Sequence, residues 1–187
     1  MPSFVGTAAV QFQFTAASNS ASREIPVADA IFVGVVMYTG KGDTIAVTIA
    51  GSGPTSSFQD TTSGNNVYMA VFVGAPSGAQ TVEVSGGDAG DNFLCAYRGI
   101  NDVDTTTPFD GTVRTQGAGS IDIVTTSDGL AVAVVMSDGV DLTEGAADTE
   151  QWQSGSFAGV SNACASTPGT GGTVTISWTA GASSWYI

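Results

Sequence analysis

Two similar stretches decide the fold: DAIFVGVVMYTG at 29–40 and DGLAVAVVMSDG at 128–139. Each is a short, nearly unbroken apolar run that is rich in β-branched side chains and bounded by turn residues. Such a run is typical of a β-strand that is buried on both faces. A buried helix could give the same run, but the bounding glycines and the density of valine favour a strand. The sequence therefore predicts a duplicated all-β core.

The repeat extends beyond the two core runs, and no segment of useful length has the helical period. We therefore predict a single all-β domain over 1–187, in which similar halves (about 4–97 and 109–187, with the connection 98–108) pack into one β-sandwich. The jelly roll is the specific prediction. An immunoglobulin-like sandwich is the alternative, weakened because the Cys…Trp…Cys spacing is absent. The further matches are TVEV (81–84) with TVTI (173–176), DNFLC (91–95) with SSWYI (183–187), and FVGT (4–7) with FDGT (109–112).

The remaining segments divide into one clear strand and several weaker patterns. AVQFQFT at 9–15 alternates apolar with polar residues and predicts a half-buried strand. The polar stretch 18–24 predicts a turn, and 51–66 predicts a loop rich in Gly, Ser and Thr. An acidic loop is expected over 138–150, followed by a weak strand over 156–165.

The charge balance excludes two classes of partner. The formal net charge is −13, with only four basic residues. Because a nucleic-acid binder needs clustered Lys or Arg, binding to nucleic acid is not expected. Anionic membrane surfaces are disfavoured for the same reason. The start, Met1-Pro2-Ser3, carries no export signal, so we expect synthesis in a cytoplasm or export by a non-standard route.

Cysteine and acidic residues are the only potential metal ligands, since the chain has no histidine. Cys95 and Cys164 could form a disulfide, but in a cytosolic product two cysteines are more typical of buried free thiols. Two cysteines are too few for a structural zinc site. Calcium is the one metal with candidate ligands, although turn capping explains the same aspartates and is favoured. The calcium candidates are Asp88, Asp91, Asp102 and Asp104.

No catalytic constellation emerges from the sequence. A serine or cysteine nucleophile would lack a histidine base, and no glycine-rich loop has the phosphate-binding pattern. A carboxylate pair for glycoside hydrolysis stays open, but the spacing selects no two of the four glutamates. We therefore predict that the protein is not an enzyme and has no cofactor. The glutamates are Glu24, Glu83, Glu144 and Glu150.

Trp152, between Gln151 and Gln153, is the best candidate for an exposed aromatic ring. An exposed ring of this kind could stack on a sugar. Packing at the end of the sandwich, or in a subunit contact, is the favoured alternative. Trp178 and Trp185 are expected to fill the sandwich.

The segment AYRGINDVDTTTPFDG at 96–111 resembles a "Y-S-G-V-D…P-hydrophobic-D" segment of β-sandwich proteins found in tailed-phage virions and prophage-like gene clusters. In those proteins a Thr/Ser-rich strand and an apolar strand follow, as SIDIVTTSDGLAVAVVM does here at 120–136. This chain departs from the pattern at Arg98, where a small residue is usual, and by two residues inserted before Val103.

The resemblance implies a phage virion structural protein without catalytic residues. A capsid decoration (cement) protein is expected, docked on the head exterior and assembled into virions in the host cytoplasm. Its partners would be the major capsid protein or other virion proteins, and a homotrimer would suit the local threefold axes of a shell. The alternative is a carbohydrate-binding sandwich of a tail or head fibre, using Trp152 or the 51–66 loop. A glycan-cleaving enzyme is the third possibility.

Overall fold

The computed structural model is built of antiparallel β-strands, which confirms the all-β sandwich class. It describes residues 1–6, 9–38, 43–61, 66–109, 111, 115–116, 119–138, 142–146, 148–157, 159–179 and 184–186. Over these ranges no helix is present, and so none is long and apolar enough to span a membrane.

The first half of the chain forms two sheets. Its inner sheet has the order β1-β9-β4-β7-β6, with β2 also pairing with β9, and its outer sheet has the order β3-β8-β5. The strands are β1 (Ser3–Phe4), β2 (Val10–Thr15), β3 (Ser18–Ile25), β4 (Ala30–Tyr38), β5 (Ala46–Ile49), β6 (Ser56–Asp60), β7 (Asn66–Val73), β8 (Gly78–Ser85) and β9 (Asn92–Asn101).

The second half repeats this arrangement. Its inner sheet has the order β10-β17-β12-β15-β14, and its outer sheet has the order β11-β16-β13. The strands are β10 (Thr115–Gln116), β11 (Ser120–Val124), β12 (Leu130–Asp138), β13 (Thr143–Glu144), β14 (Thr149–Phe157), β15 (Val160–Pro168), β16 (Thr173–Thr179) and β17 (Ser184–Tyr186).

The four sheets stack as four layers around three apolar clusters. One cluster lies between the outer and inner sheets of the first half, and another occupies the matching place in the second half. The third joins the two inner sheets face to face. The sequence predicts that the two halves each leave an apolar face open and pack together around one core. In the structure each half has its own core, and the cluster shared by the two inner sheets is a third one.

The duplicated apolar runs are the centre of each inner sheet, as predicted. Both faces of β4 are buried: Val33 and Val35 face the first-half core, while Phe32 and Val36 face the shared cluster. In β12, Val134 faces the shared cluster and the residues on either side of it face the second-half core. A strand with covered faces on both sides needs apolar residues at every position, which explains the unbroken runs.

The strand register supports the predicted internal repeat. Met37 pairs with Phe93 on one side and Asn66 on the other, and the matched Met136 pairs with Trp185 and Asn162. The matched residues nevertheless face different layers, since Met37 lies in the first-half core and Met136 in the shared cluster. The outer sheets therefore cover opposite faces of the two matched strands, and an unbroken apolar run is compatible with either arrangement.

Polar strands at sheet edges account for the errors in the sequence-based elements. The stretch 18–24 is not a turn but most of β3, which pairs along its whole length with β8. The predicted 51–66 loop contains β6, and the weak strand expected at 156–165 covers the end of the edge strand β14 and the start of β15, which is a buried inner strand. Edge strands bury little apolar surface, so their sequences carry a weak hydrophobic pattern. The jelly-roll assignment and the single-domain boundaries stay predictions.

Gly34 allows the two inner sheets to approach closely. A Cβ atom at this position would lie 2.6 Å from Trp152 Cζ2 and 3.0 Å from a methyl group of Val134. The glycine sits at the middle of β4, where its missing side chain leaves room for the indole ring from the opposite half. The contact between the halves therefore depends on this gap.

We expect Gly34→Ala to lower the free energy of unfolding by about 1–3 kcal/mol, because the extra methyl overpacks a rigid ring in a closed core. Urea denaturation followed by tryptophan fluorescence measures the change. Gly53→Ala is the matched control, since Gly53 is exposed and nothing lies within 4 Å of its added Cβ. Equal losses for both variants would contradict the close approach of the sheets.

Candidate functional site

A cleft of about 470 Å³ opens where the two inner sheets meet, at the beginning of β4 and β12. We call it the inter-half cleft. Its floor is apolar and comes from both halves, with Phe32 and Ile100 on one side and Leu130 and Val132 on the other. Clefts at such junctions are common ligand sites. The cleft is therefore the candidate site of this protein.

The rim of the inter-half cleft is acidic. Asp102, Asp104 and Asp128 are exposed there, and the described residues that line the cleft include neither lysine nor arginine. Val124, 80% exposed, adds an apolar side chain to the same lining. The arrangement combines an apolar floor with a negatively charged edge.

The wall formed by residues 101–109 is held by the aspartate that begins the first core run. Asp29 Oδ2 accepts a hydrogen bond of 2.7 Å from the backbone N–H of Asp102, and Asn101 Oδ1 accepts one of 3.2 Å from the N–H of Asp29. Asp102 has a φ of 59°, a left-handed conformation that aspartate tolerates better than most residues. The matched aspartate in the second half, Asp128, lies on the rim.

Asp104 is oriented by its own turn. Its carboxylate accepts hydrogen bonds from the Thr106 N–H (2.8 Å), the Thr107 N–H (3.2 Å) and the Thr107 hydroxyl (2.8 Å). These bonds, led by that from the Thr106 N–H, lower the pKa of Asp104. The rim therefore carries a fixed, ionised carboxylate.

The four calcium candidates do not form one site. Asp88 and Asp91 lie before β9, where Asp91 Oδ2 accepts a hydrogen bond of 2.7 Å from the Asp88 N–H, while Asp102 and Asp104 follow the far end of this ten-residue strand. No group of three or more His, Cys, Asp or Glu side chains placed to hold a metal ion occurs in the described part of the chain. The contacts of Asp88, Asp91 and Asp104 are those of turn capping.

Trp152 is not the exposed ring considered for sugar stacking; it packs in the interior, as the favoured alternative had it. Trp152 is only 3% exposed and lies in the shared cluster, with its ring centroid 5.8 Å from that of Phe32. Its indole N–H donates a hydrogen bond of 3.3 Å to Asn162 Oδ1. The flanking glutamines suggested a wet surface, but Gln151 is itself buried and its amide donates a hydrogen bond of 2.8 Å to the Ser166 hydroxyl. Trp178 is buried in the second-half core as predicted; the side chain of Trp185 is outside the described residues.

A second, smaller groove of about 280 Å³ follows the seam between β2 and β14. Its lining includes the side-chain amides of Gln11, Gln13, Gln153 and Asn162. Asn162 Nδ2 donates a hydrogen bond of 3.3 Å to the Leu94 carbonyl and so connects the two halves. This polar seam closes the edge of the apolar contact and holds no group with evident chemistry.

Two of the four glutamates meet. Glu150 and Glu144 share a hydrogen bond, and burial, followed by this bond and the Glu144 charge, raises the pKa of Glu150. Glu24 and Glu83 are exposed on the outer sheet of the first half.

The raised pKa of Glu150 predicts a pH effect on stability. Between the ordinary pKa of glutamate and the raised folded value, the folded protein holds a proton that the unfolded chain has lost. This stabilisation is complete below the ordinary value and is lost as pH rises through the raised one. Glu150→Gln should remove this dependence, so the melting temperature of the variant should gain on the wild type as pH rises.

Melting curves of both proteins across the acidic to neutral range measure the effect. Glu83→Gln is the control, because it removes the same charge from an exposed position of β8. Parallel melting temperatures for wild type and Glu150→Gln at every pH would refute the shared proton.

Both cysteines are free and buried, in different clusters. Cys95 lies in the first-half core and Cys164 in the shared cluster. Desolvation raises the pKa of each thiol, and a buried thiol of raised pKa is a poor nucleophile. They contribute packing to the two cores.

Comparison with protein-family models, curated proteins and solved structures finds no match to this chain. The description of the inter-half cleft therefore rests on this structure alone. Sequence reasoning missed it because its floor consists of core residues. The one sequence feature that could have indicated it is the pair of matched aspartates, Asp29 and Asp128. The fold brings both of them, together with the segment 96–111, to the end of the molecule where the cleft opens.

Proposed function

We propose that this protein is a bacteriophage virion structural protein, most specifically a decoration (cement) protein of the capsid exterior. The proposal rests on one observation: the segment 96–111, which resembles a segment of tailed-phage virion proteins, forms much of β9 and the described wall of the inter-half cleft. The segment that carries the resemblance thus forms part of the inter-half cleft.

The departure at Arg98 has a local explanation that is compatible with the proposal. The Arg98 guanidinium donates hydrogen bonds to the carbonyl oxygens of Val5 (3.2 Å) and Gly6, and to Gln151 Oε1 (2.7 Å). It ties the N-terminal residues and β9 to β14 of the second half. A small residue here would leave these three elements without their common partner.

The strand order supports a jelly roll within each half, whereas the sequence predicts a single jelly roll made of both halves. In the first half, β2-β9-β4-β7 alternates early and late strands in one sheet, while β3-β8-β5 does so in the facing sheet. The second half has the same alternation. Double-sheet folds with such Greek-key interleaving include viral capsid and lectin domains.

The mechanical demand on a cement protein also fits this architecture. Such a protein acts by holding neighbouring capsomers at a fixed distance, so it must resist deformation. Three apolar clusters are stacked through β4 and β12 and connect the four sheets. Docking would use the loops and edge strands, with the major capsid protein as partner and a homotrimer as the assembly.

The carbohydrate-binding alternative has lost the ring on which it rested, because Trp152 is buried. Phe58, in the other segment considered for sugar binding, packs against the shared cluster.

If the proposal is right, purified particles from the source contain this chain in a fixed ratio to the major capsid protein, set by the geometry of the shell. Quantitative mass spectrometry of the particles gives this ratio. Particles assembled without the chain should release their genome at a lower temperature, and adding back the purified protein should restore the wild-type value.

A handful of copies per particle would place the protein in a tail or fibre instead of the shell. Absence from particles, or heat resistance that does not change when the protein is removed, would refute the cement role.

A further inference from the structure

We propose that the inter-half cleft binds an extended segment of a partner protein that combines a large apolar side chain with lysine or arginine. The identification of the partner as a virion protein rests on the proposed function. The chemistry of the bound segment rests only on the cleft.

The cleft has the size and lining for an apolar anchor. Its volume of about 470 Å³ lies within the roughly 300–1,000 Å³ of ordinary ligand pockets. The floor includes the partly buried Leu130 and Val132, whose remaining surface is open to the cleft. Val124 extends this surface to the rim, where its exposed side chain could be covered by the bound chain. Burying such a surface is the principal gain available to a ligand here.

The charge of the rim decides which segment fits. Asp102, Asp104 and Asp128 present three carboxylates around an apolar floor, and no cation among the described lining residues neutralises them. Low-dielectric walls concentrate the field of such groups. Lysine and arginine donate charge-assisted hydrogen bonds to carboxylates, whereas an acidic segment would be repelled. The fixed orientation of the Asp104 carboxylate favours a directional partner over a diffuse counterion.

A protein segment fits this surface better than a nucleic acid or a metal ion does. Nucleic acid would bring phosphates to the carboxylates of a chain whose net charge is −13. A lone metal ion would leave the apolar floor uncovered. A peptide supplies both the apolar anchor and the cation at a spacing of a few residues.

The experiment is selection of a random dodecapeptide display library on the immobilised, full-length protein. We expect the recovered peptides to be enriched in Lys or Arg within a few residues of Leu, Ile, Phe or Trp. Synthetic copies should bind in solution, and their affinity should fall as salt concentration rises.

The test variant is Asp102→Asn/Asp104→Asn/Asp128→Asn. It keeps the side-chain shapes, and asparagine tolerates both the left-handed backbone at position 102 and the capping role at 104. Loss of three exposed charge pairs should weaken binding by about tenfold and remove most of its salt dependence. The control is Glu24→Gln/Glu83→Gln/Asp122→Asn, which removes the same charge from exposed strand positions outside the cleft lining and should leave affinity unchanged.

Val124→Ser keeps the inference testable if the triple variant fails to fold. It changes one exposed side chain at the rim and should weaken binding several-fold, with a normal melting temperature. Recovery of no enriched peptide, enrichment without basic residues, or equal weakening by the control variant would overturn the inference. If peptides bind as expected but particles lack the chain, the cleft chemistry holds and the virion role fails.

Discussion

Burial of β4 and β12 on both faces is the constraint on which the structure depends. Each of these strands forms part of two apolar clusters at once, so the clusters on its two sides link an outer sheet to the opposite half. Gly34 shows how tight this arrangement is, because the Trp152 ring occupies the volume that any side chain would need. Once the two strands are placed, the positions of the four layers and of the cleft between the halves follow.

The sequence predicted the features that doubly buried strands determine. The runs at 29–40 and 128–139 identified the centre of each inner sheet. The matched motifs predicted an internal repeat, and the register agrees with it, since Met37 pairs with Phe93 and the matched Met136 with Trp185. The same unbroken runs concealed the number of cores. When every residue of a strand is apolar, the pattern does not show whether one core or two different cores cover the strand. It also does not show which of the two cores each residue faces.

The other errors have a common origin in the edges of the sheets. β3 and β14 satisfy their backbone hydrogen bonds with neighbouring strands, although β3 is rich in serine and β14 carries two glutamines. Polar composition therefore suggested a turn for one and an exposed tryptophan for the other. The cleft could not be predicted for a different reason. In the sequence, Phe32 and Ile100 resemble ordinary core residues, and only the relative placement of the two halves makes them line a cleft. Its acidic rim was visible as single aspartates but not as a group.

The hydrogen-bonded sheets contain strands from one half only, and this has a consequence during synthesis. Strands β1 to β9 pair only among themselves within the described sheets, so the first half has all its partners as soon as residue 101 has left the ribosome. At that moment the face of its inner sheet that carries Phe32, Val36 and Leu94 is still uncovered. It stays so until the second half has been translated and folded. The nascent chain thus passes through an interval in which an apolar sheet face is exposed to solvent, and in this interval its assembly is most open to aggregation and to assistance by chaperones.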